Sequence, residues 1–272
     1  MTVVVVLAGV FFLLIVCVWM FQERIAFQPE RPPFPDPGNA VRVDYRAPDG
    51  QTLFAYIVGD PLRAPGLVIA FHGNADLAVR WLDWAQEIEA RTGLAVMLPE
   101  YRGYMGIEGR PTYENVARDA EAAFNFARDT LMISPDRFAY FGHSLGSAVA
   151  AELAVRHPPR TLLLEAPFTS AHDMAVRIAG RWLIPGLWRL VSRLHFDTER
   201  IVASLNAPVS VVHGGRDVVV PPRMGNKVYR AAKTKGEWFF IPRASHSDVR
   251  YVGGEAYWQW TVHGLLPLTA HK

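Results

Sequence analysis

Residues 138–151 read Phe-Ala-Tyr-Phe-Gly-His-Ser-Leu-Gly-Ser-Ala-Val-Ala-Ala. The aromatic and apolar run at the start has the length of a buried strand, and Ala148, Ala150 and Ala151 suit a helix packed close to a sheet. Between them, Gly142-His143-Ser144-Leu145-Gly146 leaves room only for a sharp turn. A serine at such an apex has a strained backbone, and its hydroxyl is pushed out above the sheet. A side chain at Gly142 or Gly146 would collide with the neighbouring strand or helix, so both positions call for glycine. A glycine-rich turn with an incidental serine has the same five residues. What separates the two is whether partners for the serine follow.

The flanking chain supplies the sheet this turn needs. Residues 66–71, 94–98, 138–141, 161–165, 209–213 and 238–241 are short apolar runs that predict strands, with Pro208 just ahead of the fifth, where a missing N–H does least harm. Residues 77–90, 113–129, 222–233 and 251–265 carry helical patterns. Ahead of them, residues 41–45 and 52–58 flank Asp49-Gly50, a hairpin turn. Apolar strands alternating with helices predict the α/β class: a mostly parallel sheet with helices on both faces. No internal repeat or low-complexity segment interrupts it.

Residues 3–21 form an apolar run without charge or proline, about as long as a bilayer core is thick. A cleaved signal peptide wants a basic start and a small-x-small end, whereas this run follows Met1-Thr2 and closes on Val18-Trp19-Met20-Phe21. Val16 ahead of Cys17 also lacks the small residue of a lipoprotein signal. The expectation is an uncleaved transmembrane anchor over residues 1–24 with Trp19 at the interface, a proline-rich linker over 25–39 and a catalytic domain over 40–272. A buried core helix is the alternative. Arg24, Arg31, Arg42 and Arg46 follow the run and no Lys or Arg precedes it, which places the domain on the cytoplasmic side of the membrane. The partner at this end is membrane lipid. A net charge of +2 with scattered basic residues argues against nucleic acid, and a single cysteine excludes an internal disulfide and a cysteine-based zinc site.

A serine hydroxyl is a poor nucleophile until a histidine takes its proton, and the histidine needs an acid to fix its tautomer. After an elbow of this kind the acid comes next in the chain and the histidine last. The strand at 209–213 runs into Gly214-Gly215-Arg216-Asp217, and the strand at 238–241 into Pro242-Arg243-Ala244-Ser245-His246. Both loops leave the carboxyl ends of successive strands, where such a sheet gathers its site. Ser144, Asp217 and His246 are therefore the candidate triad. Asp197 is the second choice of acid, and Asp248 is too close to His246. The tetrahedral oxyanion needs two fixed N–H donors. The backbone of Leu145 offers one and that of Asn74, in the His72-Gly73-Asn74-Ala75 loop after an early strand, the other. Such a triad works without a metal or cofactor.

With Phe71-His-Gly-Asn-Ala, Tyr101-Arg-Gly-Tyr-Met-Gly-Ile-Glu-Gly-Arg-Pro, Gly142-His-Ser-Leu-Gly, Glu165-Ala-Pro-Phe, His213-Gly-Gly-Arg-Asp and Ser245-His246, the chain resembles an α/β-hydrolase serine hydrolase, in particular the membrane-anchored α/β-hydrolase-domain group. The motifs span nearly all of the chain from about residue 40. They imply the α/β-hydrolase fold and acyl chemistry, without naming a substrate. Met105 stands where the group usually has glycine, and crowding of a loop near the pocket is expected there. Arg102 in the same loop has Glu108 and Asp119 as potential partners; a purely structural loop is the plainer reading.

Residues 169–197 leave the strand–helix rhythm, with Pro185-Gly186 dividing two short helical patterns that mix arginines with apolar residues. This is where such folds insert a lid, and Trp182, Leu187 and Trp188, with Met105, are expected to line an acyl pocket beneath an amphipathic, membrane-facing cover. An ordinary packed helix pair is the plain alternative. The expected substrates are acyl esters or thioesters. Peptidase or amidase activity and acyl transfer use the same residues, and a non-catalytic membrane protein with this fold is the remaining possibility.

Overall fold

The computed structural model describes residues 2–179, 188 and 191–269. Among these, eight strands form one sheet in the order β1-β2-β4-β3-β5-β6-β7-β8. The strands are β1 (Val41–Arg46), β2 (Thr52–Val58), β3 (Leu67–Phe71), β4 (Ala95–Pro99), β5 (Phe138–His143), β6 (Thr161–Glu165), β7 (Val209–Gly214) and β8 (Lys235–Ile241). β1 and β2 form the antiparallel hairpin across Asp49-Gly50, and β2 also runs antiparallel to β4. All other pairings are parallel. β3, β4, β5, β6 and β7 are apolar runs buried along their whole length, because helices cover both faces of the sheet.

The helices divide between the faces. α2 (Leu82–Thr92) packs with the last helix, which runs over Val249–Thr269, on one side. Trp84 and Tyr257, both fully buried, meet there through a 3.0 Å bond from the indole N–H to the phenol oxygen. On the other side lie α3 (Tyr113–Asp129) and α4 (Leu145–Arg156), with two further helices at Thr198–Val202 and Pro222–Ala231. α3 matches the sequence reading residue for residue, since Thr112 caps its first turn by accepting from the Asn115 N–H. The last helix is longer than its pattern predicted and breaks at Gly254, whose φ of 52° is outside the helical range. Residues 77–90 also divide, into a 3-10 turn at Ala78–Trp81 followed by α2.

Chain order reverses at β3: β4 is laid down on one side of it and β5 on the other. Loops leaving β3 and β5 therefore come out next to each other at the carboxyl edge, where a crevice forms in open sheets of this kind. The first helix, α1 (Thr2–Ala26), stands apart from the layers. Val10, Phe11, Phe12 and Leu13 are exposed, whereas Gln22, Glu23 and Phe27 at its foot are buried against the domain. By length and composition, the stretch Gly9–Ala26 is apolar enough to cross a membrane.

Candidate active site

Ser144 sits between β5 and α4 at φ 51° and ψ −114°, a strained conformation for a residue with a side chain. The turn is fixed from below. The Ser144 N–H donates to the Glu165 carbonyl at 2.9 Å, and the Ser147 hydroxyl lies 2.7 Å from the Gly142 carbonyl and 3.0 Å from that of Glu165. A Cβ at Gly142 would stand 2.2 Å from the Gly146 oxygen, and one at Gly146 would stand 2.0 Å from the Phe71 oxygen. Both glycines are therefore required by close backbone approach, as the sequence pattern implied.

β7 and β8 bring in the other two candidates. His246 Nε2 lies 2.9 Å from Ser144 Oγ, and His246 Nδ1 lies 2.7 Å from Asp217 Oδ2. A carboxylate only accepts, so Nδ1 carries the proton and the Nε2 lone pair faces the serine hydroxyl. Asp217 Oδ1 accepts from the N–H groups of Val219 and Val220 at 2.9 and 2.8 Å. Burial alone would raise the Asp217 pKa, but the bonds from His213, His246 and the Val220 N–H hold it well below the usual carboxylate range. The acid is thus ionised wherever His246 needs its charge. Asp248 orders the same loop by accepting from the Ser245 N–H at 2.6 Å.

The loop after β3 reaches the serine from the other side. A Cβ at Gly73 would be 3.5 Å from Ser144 Cβ, so the Asn74 segment runs alongside the nucleophile. His72 anchors this loop beneath: Nδ1 faces the Gly73 carbonyl at 2.8 Å and Nε2 faces Glu100 at 2.7 Å. Both ring nitrogens meet acceptors. Burial disfavours the charged ring, but the Glu100 carboxylate outweighs it, and the pKa of His72 is raised. No hydrogen bond from the backbone N–H of Asn74 or Leu145 is found among the described residues.

The remaining sequence candidates fall elsewhere. Met105 touches the Tyr56 hydroxyl through its sulfur at 3.8 Å and lines a 390 Å³ depression with Arg42 and residues 50–54. Trp188 is buried near the His172 ring and lines a 600 Å³ cavity with Leu194 and Phe196. No triad residue borders either space. Trp182 and Leu187 lie outside the described residues. Asp197 caps a helix by accepting from the Arg200 N–H. Arg102 is buried and pairs with Asp119 and Asp49, not Glu108, so it ties the 101–111 loop to α3 and to the hairpin turn. Met105 adopts φ 45°, which explains why its position favours glycine.

Three residues that sequence reading passed over support the site. His213 Nε2 is 2.9 Å from the Val220 carbonyl and 3.3 Å from Asp217, giving the acid a second histidine neighbour. His143 packs its ring 5.1 Å from that of His246, and its Nε2 lies 3.2 Å from the His246 carbonyl. Burial and repulsion by a charged His246 lower its pKa to about 4, so it stays neutral and leaves His246 as the ring that takes the proton. Glu165 lies buried under the elbow, bonded by the Tyr257 hydroxyl at 2.6 Å, and burial pushes its pKa up to about 7. All three stand in motifs quoted from the sequence, Glu165-Ala-Pro-Phe, Gly142-His-Ser-Leu-Gly and His213-Gly-Gly-Arg-Asp, but the motifs alone assign none of them a role.

This fold and its elbow define an α/β hydrolase. Residues 63–201, just over half of the chain, match the family described as "Serine aminopeptidase, S33", and the chain belongs to it. A Mycobacterium tuberculosis protein, Rv2307c, is 34% identical over 88% of this chain and 85% of its own length. The Arabidopsis thaliana α/β hydrolase domain-containing protein WAV2 is 30% identical over 93% of this chain and 90% of its own. Among solved structures, the Pyrococcus furiosus esterase Pf2001 superimposes with a TM-score of 0.67 at 16% identity, over 89% of this chain and 96% of that one.

Proposed function

We propose that the chain is a membrane-tethered serine hydrolase that cleaves acyl esters or thioesters, with residues 1–24 as anchor, 25–39 as linker and 40–272 as catalytic domain on the cytoplasmic side. The observation that carries the reading is the continuous line from Asp217 through His246 to Ser144, at 2.7 and 2.9 Å. Ser144 Oγ attacks the substrate carbonyl while His246 Nε2 takes the hydroxyl proton. The oxyanion forms against the N–H groups of Asn74 and Leu145. As it collapses, His246 passes the proton to the leaving alcohol or thiol, and an acyl group stays on Ser144. Water then repeats the cycle with His246 as base and frees the acid. No step calls for a metal or cofactor.

Ester chemistry is supported by the esterase likeness of the fold and by the apolar composition of the expected lid segment. Amide cleavage is the second reading, favoured by the family's description. The test uses the full-length chain in detergent with p-nitrophenyl esters from butyrate to palmitate beside aminoacyl p-nitroanilides. Ester turnover that disappears in Ser144→Ala is the expected result. Faster turnover of the anilides replaces the esterase reading with the peptidase one, and full ester turnover by Ser144→Ala removes both.

A further inference from the structure

We infer that the foot of the first helix, residues 22–28, positions the oxyanion loop, with the Asn74 carboxamide as the joint; this rests on the serine hydrolase reading above. Asn74 Nδ2 donates to the Ala26 carbonyl at 2.7 Å. Its Oδ1 accepts from the Gln28 N–H at 2.8 Å and from the Tyr104 hydroxyl at 2.7 Å. Two of these three partners belong to the end of α1 and the residues just beyond it. Ala26 is the last residue of that helix, so its carbonyl is one the helix itself leaves unpaired, and Asn74 caps it. The carboxamide is used at both ends, and its own backbone N–H is the group assigned to the oxyanion.

The foot is fixed in turn. Gln22 Nε2 donates to the Val191 carbonyl at 2.9 Å and Gln22 Oε1 accepts from the Arg193 N–H at 2.7 Å. Arg193 also lies 3.2 Å from the buried Glu23 carboxylate. One turn of helix therefore joins the expected lid segment to the loop beside Ser144. That loop needs outside support, because Ala75 is held at φ 50°, a conformation a non-glycine residue keeps only where its surroundings impose it. His72 and Glu100 supply the support from beneath. The carbonyl of Ala26 and the N–H of Gln28 supply it from the helix side.

A contact that only docked the helix would affect stability. A contact that aims an oxyanion donor acts on the transition state and leaves substrate binding alone. The two are separated in the full-length chain, in detergent or nanodiscs, with Asn74→Ala and Gln28→Pro. Asn74→Ala keeps the backbone donor and removes the joint. Gln28→Pro removes the backbone N–H, together with the side-chain bond to the Ile25 carbonyl, and leaves the loop's own sequence intact. Turnover of p-nitrophenyl butyrate gives kcat and KM. An alkyl trifluoromethyl ketone reports on the oxyanion: Ser144 Oγ adds to its carbonyl carbon, the serine proton passes to His246, and the carbonyl electron pair becomes the oxyanion.

In both variants kcat is expected to fall about 10- to 100-fold and the ketone Ki to rise by a similar factor, with KM within about twofold of the parent. Folded variants whose kcat and Ki match the parent overturn the inference, and Gln28→Pro carries the test where Asn74→Ala does not fold. A parent that neither turns over the ester nor binds the ketone overturns the hydrolase reading, and this inference with it. An active parent with unaffected variants sinks this inference alone.

Discussion

Asp217 accepts from three donors, two backbone N–H groups and His246, and His213 lies 3.3 Å from it. Its carboxylate fixes the His246 tautomer, so Asp217→Asn, nearly the same shape, is expected to cut kcat about 10⁴-fold with little change in KM. Steady-state kinetics on p-nitrophenyl butyrate check this, and a loss under tenfold would make Asp217 a structural residue. Glu165 makes a different prediction. Its carboxyl sits near 7 in the fold against an ordinary 4.5, so between those pH values the folded chain holds a proton that the unfolded chain has lost. The Glu165 contribution to stability is therefore full below 4.5, falls as pH rises through the window and levels off above 7, a loss of about 3 kcal/mol. Glu165→Gln cannot ionise, and its urea midpoint at pH 8 is expected above the parent's, with the pH dependence flattened. Ser144, Asp217 and His246 were legible in the sequence because each follows a strand at a marked turn. His143 and His213 were not, because their roles depend on contacts with His246 and Asp217 that only the assembled sheet makes.

At the scale of elements, the sheet was read almost whole because its strands are apolar runs broken by turn residues. β8 begins three residues before its apolar run, at Lys235, since pairing with β7 extends it past the hydrophobic signal. The break at Gly254 was not read, because a lone glycine inside a helical pattern looks like a tolerated one. The elbow is the least forgiving element. A Cβ at Gly146 meets the backbone oxygen of Phe71, which belongs to a central strand and has no room to retreat. Gly146→Ala is therefore expected to destabilise the fold by about 3 kcal/mol or more, read as a drop in the thermal midpoint by circular dichroism. A variant as stable as the parent would mean that α4 shifts freely on the sheet, against the packing described. Residues 169–197 were read as a lid from composition alone, and residues 180–187, 189 and 190 lie outside the described residues. Nothing in the spacing says which side chains face the site, and Trp188 lies near His172.

For the whole molecule, the geometry of α1 sets the expectation. Its outer part is exposed and apolar, while its foot is bonded to the domain through Gln22, Glu23 and Ala26. A shaft of that kind has no partner within the described residues, and a bilayer would cover it. The full-length chain is expected to stay with membranes through an alkaline carbonate wash. Phe11→Arg combined with Leu13→Arg, each costing about 3–4 kcal/mol at mid-bilayer, is expected to shift it toward the soluble fraction. Release of the unmodified chain by carbonate alone would contradict the anchor. Why the sequence shows a candidate span but not its docking is physical: a continuous apolar run is a local property, whereas the bonds from Asn74 and Arg193 cross 48 and 171 residues of chain.

The most direct test of the central claim is labelling by a fluorophosphonate probe, which reacts with a serine only when it is activated. The full-length chain in detergent is compared with Ser144→Ala and His246→Ala, and the adduct is located by peptide mass. The account predicts one adduct, on Ser144, absent from Ser144→Ala and nearly absent from His246→Ala. A folded parent that takes no label, or takes it on another serine, would contradict the assignment of Ser144 as nucleophile.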